Sequence, residues 1–120
     1  MERKFDLENR LVKFACICLE VCDLLPNTKA GQNLQFQLSK SATAPALMYG
    51  EAQGAVSQTD FIHKMKMGLK EFRETRINLR IVIEKPLVIN KKVNIALNET
   101  NELIAIFSSS ISTAKANVKK

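Results

Sequence analysis

The apolar positions of this chain recur at three- and four-residue steps in four separate runs, the spacing of helices that each bury one stripe. The first run is Leu7, Leu11, Phe14, Cys18, Val21 and Leu25, within a segment from about Asp6 to Leu25. Pro26 disfavours helix at the residue before it, so the helix ends there and residues 27–31 are expected to turn. The second segment, about Gln32 to Ala55, has Lys40 and Glu51 as its only charges and is rich in Ser, Ala, Thr and Gly. Pro45 falls inside it, and a proline that deletes a backbone donor predicts a kink near residues 41–46. The third begins at Ser57, where Ser57 and Asp60 form a variant of the capping box, and stops before Pro86. Its stripe is Phe61, Met65, Leu69, Phe72, Leu79 and Ile83. The fourth begins near Asn90, a good N-cap, and carries Val93, Leu97, Thr100, Ile104, Phe107, Ile111 and Ala114. The tail from Asn117 to Lys120 is expected to fray.

Short connections between long helices force antiparallel neighbours, so the expected architecture is all-α: an antiparallel up-down-up-down four-helix bundle. The 120 residues fit a single domain over 1–120. The expected core comprises Leu11, Phe14, Leu38, Phe61, Met65, Leu69, Phe72, Leu97, Ile104 and Phe107. The second helix is too poor in charge to show a broad face to water. It is therefore expected to be covered both by its own bundle and by another subunit.

Charge changes the picture at one place. Residues 1–60 hold six Lys or Arg against seven acids, whereas residues 61–120 hold twelve against five. Within that basic half, Lys66, Lys70, Arg73 and Arg80 advance by four, three and seven, one stripe of the third helix, with Arg76 at its border. Such a stripe can track a nucleic-acid backbone. The i,i+4 partners Asp60–Lys64, Lys70–Glu74 and Arg80–Glu84 offer a plainer account, a solvated ion-pair surface. No aromatic platform for base stacking accompanies the cations.

Other chemistry is sparse. Cys18 and Cys22 lie one turn apart, but the only histidine, His63, is on another helix, and zinc usually takes four N or S ligands. Small buried hydrophobes are the better reading, and no metal or cofactor is expected. Glu51 and His63, on adjacent helices, are expected to form a structural polar contact. No nucleophile motif, phosphate loop or catalytic carboxylate pair is present, so no enzymatic activity is expected. No apolar run is long enough to cross a membrane, and MERKFDLENR lacks the core of a signal peptide, which makes a cytoplasmic location the expectation.

Taken together, FACICLEVCDLLPNTKAGQNLQFQL, SATAPALMYGEAQGA and especially SQTDFIHKMKMGLKEFRETRINLR resemble the four-helix-bundle proteins encoded in intervening sequences of bacterial 23S rRNA genes, a family sometimes labelled ribosomal-protein-like. The family pattern S-x-x-DFIHK-x-x-x-x-LKE-x-RET-x-x-x-L is matched at Ser57, Asp60 to Lys64, Leu69 to Glu71, Arg73 to Thr75 and Leu79. The chain departs from it at Ala44 to Met48, where the family usually carries Ser-Ile-Gly/Pro-Ala-Asn. The resemblance implies a four-helix bundle assembled as a homopentameric ring. It also suggests kinship in fold with the accessory variability determinants of diversity-generating retroelements, basic pentamers that bind nucleic acid and a reverse transcriptase. Two partner classes follow as expectations: RNA or DNA along the basic stripe, or a protein for which this molecule is a scaffold.

Overall fold

The computed structural model describes residues 6–118. Four helices account for nearly all of them: α1 (Leu7–Leu24), α2 (Lys29–Gln53), α3 (Gln58–Glu84) and α4 (Lys91–Val118). No strand occurs among the described residues. Lys119 and Lys120, part of the tail expected to fray, lie outside them, as do residues 1–5.

Each helix starts where a side chain can satisfy an orphan amide. Asp6 accepts from the Asn9 amide at 3.0 Å, Thr28 from Gly31 at 3.1 Å and Ser57 from Asp60 at 3.0 Å. Asn90 accepts from Lys92 at 2.9 Å. In the Ser57 box the reciprocal partner differs from the usual form, because Asp60 reaches back to the Val56 amide at 3.4 Å.

The start of α2 corrects the sequence reading. Gly31 does not belong to the turn; it lies in the first turn of the helix, which begins at Lys29. A Cβ on Gly31 would come within 1.9 Å of the Pro26 carbonyl oxygen, so the corner between α1 and α2 closes only over glycine. Further along, α2 runs through Pro45 without interruption. Pro45 is buried, and two residues earlier Thr43 Oγ1 donates to the Ser39 carbonyl at 2.8 Å.

The helices pack in the order of the chain, α1 on α2, α2 on α3, α3 on α4, with α4 closing on α1. Diagonal helices do not approach at the level of the backbone among the described residues. Aromatic rings bridge them instead. Phe14 of α1 meets Phe72 of α3 edge-on at 5.6 Å between centroids, and Tyr49 of α2 lies 6.3 Å from Phe107 of α4. Phe72 and Phe107 are perpendicular at 5.0 Å, the geometry that sets the positive edge of one ring on the negative face of another.

Of the expected core, Leu11, Phe14, Leu38, Met65, Phe72 and Phe107 are buried, while Phe61, Leu69, Leu97 and Ile104 are only half-buried. The centre of α3 is taken by Met65, Gly68, Phe72, Thr75, Leu79 and Val82, and that of α4 by Val93, Ala96, Thr100, Leu103, Phe107, Ile111 and Ala114. Small and hydroxylated residues displace larger neighbours because they fit between rings and close backbones. Gly68 is the clearest case: a Cβ there would lie 2.7 Å from Phe107 Cε2 and 3.5 Å from the Met48 Cβ. The buried hydroxyls are satisfied. Thr75 Oγ1 lies 2.9 Å from both the Glu71 carbonyl and Ser41 Oγ, and Thr100 Oγ1 donates to the Ala96 carbonyl at 2.7 Å.

Candidate functional site

The site is built on the outward side of α3. The amphipathic pattern that buries Met65, Phe72, Leu79 and Val82 turns Lys66, Lys70, Arg73 and Arg80 to the surface, where all four are exposed. Arg76 is half-buried at the margin, as its position beside the stripe foretold. A shallow groove of about 420 Å³ is lined by Lys66, Leu69, Lys70, Arg73, Glu74 and Ile77. A second of about 270 Å³ shares Ile77 with it and adds Arg80, Ile81, Glu84 and Lys85. Lys66, Lys70 and Arg73 thus border one groove, and Arg80 borders the other.

Ion pairing along this face is thinner than the sequence suggests. Lys70 contacts Glu74 at 3.4 Å and Glu71 at 3.7 Å. The anticipated Arg80–Glu84 pair does not form within 4.0 Å, and Lys66, Arg73, Arg76 and Arg80 have no carboxylate partner among the described residues. Lys64 does not pair with Asp60; it crosses to Glu51 of α2 at 3.0 Å, a hydrogen bond that holds its ammonium above the ordinary lysine range. A carboxylate oxygen of Glu71, Oε1, is buried without a hydrogen-bond partner among the described residues.

The Glu51–Lys64 bond also overturns the expected contact between Glu51 and His63. Neighbouring residues on a helix project about 100° apart. The flank of α3 that faces α2 carries Lys64, which leaves His63 exposed. The two side chains are therefore not joined as a polar contact or as an acid and base.

Cys18 and Cys22 pack as hydrophobes, whereas Cys16 is exposed. Burial pushes the Cys18 thiol up to about 12; burial, and then the nearby charge of Asp23, push Cys22 up to about 11. A thiol so far from ionising is a poor nucleophile. Cys22 Sγ donates to the Gln35 carbonyl at 3.6 Å, while Gln35 Nε2 donates to the Cys22 carbonyl at 3.0 Å, a reciprocal clasp between α1 and α2. Among the described residues, no three His, Cys, Asp or Glu side chains gather as a metal-binding group.

Two features escaped the sequence reading. One is the pair of apolar side chains within the basic face, Ile77 and Ile81, which are 48% and 43% exposed and fall off the buried stripe of α3; Leu69, expected in the core, is half-buried beside them. That displacement was their signal. The other is the junction of Arg10 with Glu99 and Glu102, which joins α1 to α4 across 89 residues of chain and leaves no local spacing to detect. Arg10 grips Glu99 through two bonds of 2.7 and 2.8 Å and reaches Glu102 at 2.9 Å. The Glu99 hydrogen bonds raise the guanidinium pKa further above its usual value.

No protein-family model matches this chain, and no match was found among curated proteins. Among solved structures, the fold matches the crystal structure of a protein of unknown function from the S23 ribosomal protein family of Bacteroides thetaiotaomicron. The TM-score is 0.81 at 24% sequence identity, with 88% of this chain and 98% of that one covered. That likeness establishes the four-helix fold over nearly the whole chain. No helix of the described residues is long and apolar enough to cross a membrane.

Proposed function

We propose that this protein is a non-enzymatic, oligomeric accessory protein that holds a nucleic-acid backbone against the outward face of α3. The observation that carries the reading is the absence of carboxylate partners for Lys66, Arg73 and Arg80 among the described residues. Cations neutralised by their own helix have little to offer a phosphate; cations left free release counterions from a polyanion and gain affinity. Spaced seven residues apart, these three advance about 10 Å at each step along the helix. Contacts of this kind supply affinity with little sequence preference, for RNA or for DNA. The resemblance to intervening-sequence proteins supports assembly as a homopentamer, which would repeat the face around a ring. The fold shared with the Bacteroides protein is consistent with that kinship.

The test is the binding of labelled RNA and duplex DNA by the intact assembly as a function of salt. With three phosphate contacts per face, log K against log salt should fall with a slope of about −3 for duplex. Replacing Arg73 and Arg80 by Gln should weaken binding and flatten that slope. Absence of binding at low salt, or indifference to these substitutions, would refute the reading.

A second reading is favoured by α2. Its outward side exposes Phe36 and Leu47, each 65% accessible, among small side chains. That surface suits a scaffold that binds protein. Co-purification of a defined partner by a protein with negligible nucleic-acid affinity would favour it over the first.

A further inference from the structure

We propose that the nucleic acid taken by the α3 face is single-stranded. The inference rests on the reading of α3 given above and adds to it what the apolar side chains in that face are for. Leu69, Ile77 and Ile81 sit among the cations, and Ile77 lines both grooves. A face intended for phosphate alone has no use for half-exposed isoleucines.

A duplex hides the flat faces of its bases in the stack and offers a protein rod mainly phosphate and sugar. Ile77 and Ile81 would then lie against charged phosphate oxygens, which would lose water to an apolar surface that offers them no hydrogen bond. An unstacked strand offers an apolar base face beside every phosphate, and an alternation of cations and aliphatic side chains complements that repeat. Shape points the same way. Lys66 to Arg80 is a straight row about 21 Å long at the rise of an α-helix. A duplex backbone winds away from a straight row, whereas an extended strand can follow it. Because the contacts are aliphatic, not aromatic, each base gains less than on a stacking platform, and sequence preference should be slight.

The experiment compares a labelled single-stranded oligonucleotide with its own duplex at matched salt, using the full chain and two double variants, Ile77→Ser with Ile81→Ser and Arg73→Gln with Arg80→Gln. All four positions are exposed, and circular dichroism checks that each variant remains folded. The single strand should bind several-fold tighter than the duplex. The isoleucine variant should weaken single-strand binding by roughly threefold to tenfold, the scale of partial aliphatic burial, and leave duplex binding unchanged. The arginine variant should weaken both. If the duplex binds as well as the strand, or the isoleucine variant binds the strand like the wild type, this inference falls and the nucleic-acid reading stands. If neither ligand binds at low salt, the nucleic-acid reading itself has failed. If an acidic amphipathic peptide binds in a manner abolished by the isoleucine variant while the strand is unaffected, the face serves a protein and the inference is overturned.

Discussion

The seam between α2 and α3 and the seam between α1 and α4 close the same bundle with different chemistry at their centres, although one exposed ion pair, Glu51–Lys64, also crosses the first. Backbones approach most intimately at the first and least at the second. Between α2 and α3 lie Ser41 and Thr75, with the Ser41 hydroxyl bonded to Thr75 and receiving Asn78 Nδ2 at 3.3 Å, while Gly68 of α3 faces Phe107 of α4 first and Met48 of α2 beyond it. Between α1 and α4 the links are Arg10 to Glu99 and Glu102, and Lys92 to Glu20 at 3.5 Å. Short hydroxyls satisfy one another inside a tight joint and are shielded from ions. Long charged side chains span a wider gap at the edge of water, where salt screens them.

The contrast can be broken most forcefully at Phe107, which is fully buried and packs against α3 and α2 at once. Phe107→Ala should destabilise the protein by about 3–5 kcal/mol in chemical denaturation. Gly68→Ala should cost about 1–3 kcal/mol, because the new methyl meets a ring already held by Phe72 and Tyr49. Helix propensity alone would have made the same change favourable by roughly 1 kcal/mol. In the Phe107→Ala background the sign should reverse, since the obstructing ring is gone. A neutral Gly68→Ala in the wild type would show the tight joint to be looser than described.

Smaller effects sharpen the comparison. Thr75→Val keeps the shape and removes the hydroxyl shared with Ser41, at a cost of about 1–2 kcal/mol that should hardly change with salt. Arg10→Ala should cost about 0.5–1 kcal/mol at low salt and less as salt rises, because its bonds are partly exposed. Equal salt dependence in the two variants would erase the distinction between the seams.

Helix number, helix order and the basic stripe were legible in the sequence because each is a local periodicity. What was not legible depends on neighbours distant along the chain. Leu97 and Ile104 look like core by hydrophobicity, yet Ala96 and Leu103 take the centre of α4, a displacement set by how α4 is rotated against α3 and α1. The Glu51 partner is Lys64 and not His63 for the same reason: a step of one residue moves a side chain from one flank to the next. Gly31 reads as a turn by composition, but the Pro26 carbonyl pressed against it makes it the inner corner of a helix start. The free state of Arg73 and Arg80 was likewise hidden, because i,i+4 spacing permits a pair without enforcing one.

Tyr49, Phe107, Phe72 and Phe14 touch in succession, and each comes from a different helix. None of the four cylinders can peel away without stranding a ring that another leans on. Melting should therefore be all-or-none in calorimetry, and slow amide hydrogen exchange should report one shared opening energy from every helix, not a hierarchy of separately unfolding parts.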